Sequence, residues 1–497
     1  MTNSPFETLK KYWGYEDFRP GQLPIIESIL TGRDTLAIMP TGGGKSICFQ
    51  VPALMLPGTT IVISPLISLM NDQVEALCRR QLPAAQLTST QSPTEKQKTY
   101  QLLSSGKLKL IYVSPERLQT QKFLTICQTI KIGLVVIDEA HCISEWGDEF
   151  RPEYKQIAKF VRSLVTLRQA HGDKQAQSDI PVAAFTATAT PRVRTEIVQS
   201  LKLNQPQVFI SSFKRQNLKL NVIRCPSSYW QNLFLVKLVK HHFHQNGLVY
   251  VSSRSVAEQL ANYLNQIFDQ TYATAYHAGL DKNLRNQVQQ AFINNQKPLI
   301  IATNAFGMGI DKSDIRFVIH YHLPGSLEHY YQEVGRAGRD GQQSSCYLLY
   351  ESNNLKIHLG LIGKTNQQQN LPHLKQTMAK LESMRAYAQT KLCRSSFVLN
   401  YFGENTEMVC GQCDNCHKQN LQPILFTPQE KTVFDKLNEL NKTNNNQYKI
   451  AHKVLYQLAI IKPQNLVQLQ SVAGVGLGLY KKHWPTIKPI MLYNTQT

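Results

Sequence analysis

Long apolar runs are missing from this chain. Nowhere do its 497 residues approach the ~18 consecutive apolar side chains that cross a bilayer, so no membrane is expected among its partners. The opening Met1-Thr2-Asn3-Ser4-Pro5-Phe6-Glu7 lacks the apolar core of a signal peptide, which points to an intracellular, cytoplasmic protein. Acidic residues are scarce: 34 Asp and Glu stand against 54 Lys and Arg, a formal net charge of +20. An excess that large has too few internal partners and usually faces a polyanion. Charge alone does not separate DNA from RNA or from an acidic membrane. Disulfide pairing is not expected either. Six of the ten cysteines (Cys48, Cys78, Cys127, Cys142, Cys225, Cys346) are scattered, mostly in or beside apolar segments, and read as free thiols in a reducing compartment.

What is present is a repeated alternation of short apolar runs with longer amphipathic ones. The length exceeds what one core supports and predicts three or four domains. Strands are expected at Thr35–Met39, Thr60–Ile63, Leu110–Val113, Leu134–Ile137 and Val182–Phe185, each rich in Val, Ile and Leu without polar alternation. The segments between them suit crossover helices, so residues 1–205 read as a doubly wound α/β domain. The alternation pauses near Asn204-Gln205-Pro206. It resumes at Gly247–Val251, Leu299–Ala302, Phe317–His320 and Cys346–Leu349, predicting a second parallel-sheet domain over 206–352. Thr166–Asp179 and Lys364–Asn370 read as polar surface loops. Residues 353–418 turn helical and carry a cysteine cluster, and 427–497 form a small all-α tail.

Met39-Pro40-Thr41-Gly42-Gly43-Gly44-Lys45-Ser46 follows the first strand and opens a helical pattern. Three glycines let the backbone curl until several N–H groups face one anion at a helix N-terminus. Lys45 is then placed for the β- and γ-phosphates of ATP, and Ser46 for Mg²⁺. A strict P-loop has glycine where this chain has Met39. Asp138 ends the run Leu134–Ile137 at a strand's carboxyl end, where open α/β sheets bind ligands. It is expected to reach the Mg²⁺ through water, with Glu139 as the general base or water-orienting group. His141 is expected to couple this site to the rest of its domain. Far downstream, Gly335-Arg336-Ala337-Gly338-Arg339-Asp340-Gly341 offers Arg336 and Arg339 three residues apart. An arginine brought in from another domain stabilises a transferring phosphoryl group, and Arg339 is the expected finger, with Arg336 beside it sensing closure. Upstream, Gln22 has the bidentate amide that reads adenine edges, and Tyr15 a ring to stack on the base. Plain packing also suits those two positions.

Cys393, Cys410, Cys413 and Cys416 form a C-x16-C-x2-C-x2-C array. Thiolates at this spacing close a tetrahedron around one Zn²⁺. An iron–sulfur cluster also takes four cysteines, and His417 is a rival to Cys416 as fourth ligand.

Taken together, these motifs resemble RecQ helicases, the DEAH-containing members of superfamily 2. The likeness runs from about Tyr12 to His417. It includes Phe18-Arg19-Pro20-Gly21-Gln22, Ser64–Met70, Tyr112–Leu118, Asp138–Ser144, Thr186-Ala187-Thr188-Ala189, Tyr276–Leu280 and Ala305–Lys312. The resemblance implies two RecA-like domains and ATP- and Mg²⁺-dependent movement on DNA with 3′-to-5′ polarity. It further implies duplex unwinding in repair and recombination, and adds Arg19 and Asp311 to the cofactor-binding set. It makes the cysteine array a structural zinc subdomain. His141–Pro152 is similar to the family's aromatic-rich loop. Independently of family, Trp146 and Phe150 offer faces for unpaired bases, each worth ~1–3 kcal/mol, and Arg151 a phosphate contact. Trp146 also suits a core position.

RecQ proteins carry a winged-helix domain after the zinc module. Here a short linker separates His417 from Thr427, so that domain is expected to be missing and unwinding to be modest, favouring forks and short duplexes. The tail resembles the HRDC domain, and Val472-Ala473-Gly474-Val475-Gly476 a helix-hairpin-helix turn, beside Lys481 and Lys482. A plain helical cap is the alternative. The expected partners are single-stranded and partly duplex DNA, with a single-strand-binding or recombination protein and a monomeric state. An ATP-gated annealing factor and a related RNA helicase are the competing functions.

Overall fold

The computed structural model describes residues 4–144, 151–170, 180–268, 271–304, 306, 312–353, 355, 360, 371–417, 427–443, 450–472, 475 and 477–492. Its first sheet contains β1 (Thr35–Ile38), β2 (Thr59–Ile63), β3 (Ala84–Leu87), β4 (Leu110–Val113), β5 (Ile132–Ile137), β6 (Val182–Thr186) and β7 (Gln207–Ile210). These lie in the order β3-β4-β2-β5-β6-β1-β7. A second sheet contains β8 (Leu218–Arg224), β9 (Asn246–Tyr250), β10 (Ala273–Tyr276), β11 (Leu299–Ala302), β12 (Ile315–His320) and β13 (Ser344–Tyr350), in the order β10-β11-β9-β12-β13-β8. Neighbouring strands are parallel throughout both sheets. Every residue of β1, β2, β4 and β6 is buried, as continuous apolar runs require when helices cover both faces.

The sequence reading anticipated the interior strands and missed β3, β7, β8 and β10. Those four occupy the edges of the two sheets. β7 also moves the expected domain break. It follows residue 205 yet pairs with β1, so the first sheet closes at Ile210 and residues 211–217 form the connection to β8.

Beyond β13, the helices Leu371–Gln389 and Arg394–Tyr401 lead into the cysteine array. Phe402, just after the second helix, stacks on Phe213 of the inter-sheet connection, with ring centroids 4.4 Å apart and planes 10° from parallel. Its carbonyl also accepts a hydrogen bond from Arg194 in helix Pro191–Leu201, so this region touches both sheets' domains.

The tail helices Pro428–Thr443, His452–Ile461, Leu466–Gln470 and Leu477–Leu492 enclose a small core that includes Val433, Leu437, Leu455, Leu458, Leu469 and Ile487. They dock on the second domain. Ile460 joins that domain's core, Trp230 meets Tyr456, and Gln468 donates to the Ile267 carbonyl at 3.0 Å. Lys237 and Glu430 form an ion pair at 2.7 Å, with side chains 3% and 8% exposed. Burial pushes the Lys237 ammonium below its ordinary range, and Glu430 opposes that shift. Removing one partner of a buried pair strands the other charge, at about 3 kcal/mol. A Glu430→Ala variant is therefore expected to loosen the tail, read as faster limited proteolysis within 427–492 while the two-sheet core stays resistant. An unchanged cleavage pattern would show that the pair does not hold the tail.

Candidate active site and metal centre

The turn after β1 is shaped by glycine. Gly42 and Gly44 have φ of +83° and +81°, a region costly for side chains, and Gly43 N–H closes on the Pro40 carbonyl at 2.9 Å. Gly44 begins helix Lys45–Met55 without a side-chain cap, so no side chain of the cap competes for the first-turn N–H groups. Met39, where glycine was expected, is 2% exposed and turns into the core, its sulfur 3.8 Å from Cys48 Sγ. A larger residue fits there because it points away from the concavity. Lys45 Nζ donates to the Met39 carbonyl at 3.4 Å. Arg19 Nη1 donates to the Gly42 carbonyl at 2.7 Å. Gln22 is 1% exposed; its Nε2 donates to the Gly43 and Gly44 carbonyls, and its Oε1 accepts from Arg19 N–H. Its amide is thus engaged by the cradle itself and must exchange these bonds to read a base. Tyr15 stands exposed at the rim.

Asp138 and Glu139 follow β5. Asp138 is fixed by its N–H on the Ile63 carbonyl, by the Tyr154 hydroxyl on its own carbonyl at 3.0 Å, and by Ser64 Oγ at 3.4 Å. Glu139 takes a left-handed conformation, φ +48°, which turns successive side chains sharply apart. Burial, reinforced by the Glu139 charge, pushes the Asp138 carboxyl up to about 7. Burial acts on Glu139 too, but Lys45, His141 and Arg336 outweigh it and hold that carboxylate at about 2. A buried carboxyl beside a second negative charge is a place where a divalent cation relieves an electrostatic cost. With Ser46 lining the same cavity, the donor set is all oxygen, which suits Mg²⁺. His141 Nδ1 lies 3.3 Å from Glu139 and 2.8 Å from Thr186 Oγ1. Thr186 donates to the Thr188 carbonyl, and Gln332 Nε2 of the second domain reaches Thr188 Oγ1 at 2.9 Å. Short polar contacts therefore run from Glu139 to the other domain.

Helix Leu327–Val334 buries Leu327, Tyr330, Tyr331 and Val334, a 3.6-residue stripe, and Ser326 caps its start on His329 N–H. Gly335 ends it, and the turn beyond presents Arg336 and Arg339 to the cradle. Both line one cavity of about 530 Å³ together with Tyr15, Arg19, Gln22, Thr41, Gly42, Gly44, Lys45, Ser46, Asp138 and Glu139. A β-carbon added to Gly42 would sit 3.5 Å from Arg339 Cγ. Arg151 is half-buried and donates to the Pro65 carbonyl at 3.1 Å. Trp146, Phe150 and Asp311 lie outside the described residues. The sequence reading passed over Gln332 and Arg215. Gln332 stands three residues before the Gly335–Gly341 motif and was open to detection; Arg215 sits in polar sequence without a motif.

The sulfurs of Cys393, Cys410, Cys413 and Cys416 all lie within 4.8 Å of one another, and Cys410 and Cys416 are 3.8 Å apart. Zn–S bonds of ~2.3 Å in a tetrahedron require S···S edges of about 3.8 Å. Thiolates around a multi-iron cluster stand further apart, so the spacing fits a single ion. Backbone N–H groups of Cys410, Cys413 and Arg394 point at Cys393, Cys410 and Cys413 sulfurs, favouring thiolates. His417 is exposed and not among the grouped ligand atoms.

Two parallel α/β domains that share a phosphate cradle and an arginine-bearing turn define the two-domain core of a nucleotide-driven helicase. Residues 19–197 match the DEAD/DEAH box helicase family, 230–341 the helicase conserved C-terminal domain, and 356–417 the RecQ zinc-binding family. The chain is 43% identical over 410 residues to the ATP-dependent DNA helicase RecQ of Bacillus subtilis (strain 168), covering 82% of this chain and 66% of that protein. It is 38% identical over 497 residues to the RecQ of Pasteurella multocida (strain Pm70), covering 98% and 73%. Among solved structures, the DEAD-box helicase Mss116 bound to ssRNA and UDP-BeF shares the fold, with TM-score 0.59 and 14% identity over 99% of this chain and 94% of that one. The chain belongs to the RecQ family of ATP-dependent DNA helicases.

Elemental analysis is expected to give one zinc per chain with no visible-range absorbance. Cys413→Ser should lose the metal and His417→Ala keep it; a brown protein, or zinc lost with His417, would contradict the four-sulfur site.

Proposed function

We propose that this chain hydrolyses ATP between its two domains and uses the resulting movement to travel 3′-to-5′ on single-stranded DNA and part duplexes. The observation that carries the reading is the single cavity lined by Lys45, Ser46, Asp138 and Glu139 from one domain and Arg336 and Arg339 from the other. In this reading Thr41–Gly44 and Lys45 hold the phosphates, and Ser46 and Asp138 would hold Mg²⁺, which supplies positive charge to the phosphate oxygens. Glu139, kept ionised by its cationic neighbours, orients the attacking water. Arg339 meets the developing charge, and Arg336 senses the approach of the domains. Arg19, Gln22, Tyr15 and Asp311 complete nucleotide binding. Trp146, Phe150 and Arg151 contact the single strand. Cys393, Cys410, Cys413 and Cys416 hold a structural zinc.

Support for DNA as the track comes from family membership and the +20 charge. The cellular setting proposed is DNA repair and recombination in a bacterial cytoplasm, with the protein acting as a monomer at forks and short duplexes beside a single-strand-binding protein. The tail is proposed as an HRDC-like module contacting nucleic acid.

Hydrolysis with single-stranded DNA, duplex DNA and RNA, alongside a strand-displacement assay, tests this reading. Turnover should rise with single-stranded DNA, and Lys45→Ala should lower it ~10²–10³-fold while still binding the strand. Displacement of a fork strand by the wild type and none by the variant is the expected pair. Hydrolysis without displacement would favour an ATP-gated binder, and stimulation by RNA alone an RNA helicase.

A further inference from the structure

The connection 211–217 lies outside both helicase matches, between their ends at 197 and 230. We infer that Arg215, on this connection, is a positioning residue that locks the arginine-bearing turn against the phosphate cradle. The inference rests on the nucleotide reading above and adds a residue to it.

Arg215 Nη1 donates to the Thr41 carbonyl at 3.2 Å and to the Gly335 carbonyl at 3.4 Å. Nη2 donates to the Ala337 and Gly338 carbonyls at 3.1 and 3.3 Å. One planar cation thus spans both walls of the cavity. The three carbonyls at 335–338 follow the C-terminal end of helix Leu327–Val334, where carbonyls lack intrahelical donors and negative partial charge collects. A guanidinium meets that need with two edges at once, which one ammonium does not do. Arg336 and Arg339 alternate with the carbonyls so held, and holding the backbone sets where their side chains emerge.

Two features tie the grip to this connection. Asn217 Nδ2 donates to the Gly338 and Gln342 carbonyls at 2.8 and 2.9 Å. Gly338 has φ +57°, and any β-carbon there would collide with the Asn217 amide, so the turn is shaped to receive the connection. Upstream, Phe213 is clamped by its stack on Phe402, and its N–H donates to Glu404, which also accepts from Ser212 Oγ at 2.8 Å. Arg215 therefore starts from a fixed base. Of these contacts, the one to Thr41 crosses to the first domain, so separating the domains breaks that bond and leaves the grip on the turn.

The test uses the full chain with Arg215→Gln and Arg215→Lys, measuring ATP turnover at saturating single-stranded DNA, KM for ATP, melting temperature and zinc content. Arg215→Gln should lower kcat ~10²-fold, the scale of a misplaced catalytic group, with KM changing far less and with zinc and melting temperature kept. Arg215→Lys should recover part of the loss. An unchanged kcat in Arg215→Gln, where Lys45→Ala and Arg339→Ala lower turnover ~10²-fold or more, overturns this inference and leaves the nucleotide site standing. A fall matched by lost zinc and a lowered melting temperature also overturns it, because that is a folding role. Turnover that survives Lys45→Ala overturns both.

Discussion

Contact between two turns, one from each domain, governs this molecule. The cradle at Thr41–Gly44 and the turn at Gly335–Gly341 meet closely enough that added β-carbons at Gly42 and Gly335 would be in van der Waals contact, at 3.5 Å, with the Arg339 and Thr41 side chains. Larger residues would wedge the walls apart and carry Arg336 and Arg339 away from Lys45. In that narrow space Lys45, Arg336 and Arg339 stand beside buried Asp138 and half-buried Glu139, where water screens charge poorly and each Coulomb interaction gains weight. The opposite shifts of Asp138 and Glu139 follow from this crowding. They separate one carboxyl that favours a cation from another that stays ionised.

The rest of the chain holds that approach in register. Arg394 pairs with Asp414 at 2.9 Å beside the cysteine array, and Asp414 accepts from Val222 N–H on edge strand β8. Gln412 of the same loop donates to the Gln216 carbonyl next to Arg215. The cysteine-bearing loop thereby braces the edge of the second sheet where the inter-sheet connection enters it. Further along, Phe402, Phe213 and Tyr331 form an aromatic cluster, and the Tyr331 hydroxyl reaches the Phe213 carbonyl at 2.8 Å. The cysteine region is physically continuous with the wall that carries the arginines.

Interior strands were legible because burial on both faces demands unbroken Val, Ile and Leu, as in Leu134–Ile137. Edge strands escaped for the same reason reversed. Gln207–Ile210 is exposed at three of its four positions, and its apolar run, Val208-Phe209-Ile210, is only three residues long. Motif residues that meet phosphate chemistry were readable from type and spacing, and the structure gathers Lys45, Ser46, Asp138, Glu139, Arg336 and Arg339 around one cavity. Residues that act on backbone carbonyls were not. Arg215 contacts main-chain atoms whose positions depend on the fold, and Gln22 spends its amide on loop carbonyls that no pattern of side chains reveals.

In the proposed cycle, nucleotide binding draws the two domains together through these facing walls. Spin labels at exposed Lys107 and Gln296, one on each domain, report the separation directly once exposed Cys78 is replaced by serine. A non-hydrolysable ATP analogue should narrow the distance distribution in this chain and leave it unchanged in the Arg339→Ala variant. A distribution that ignores the analogue, or that narrows equally without Arg339, would contradict the account.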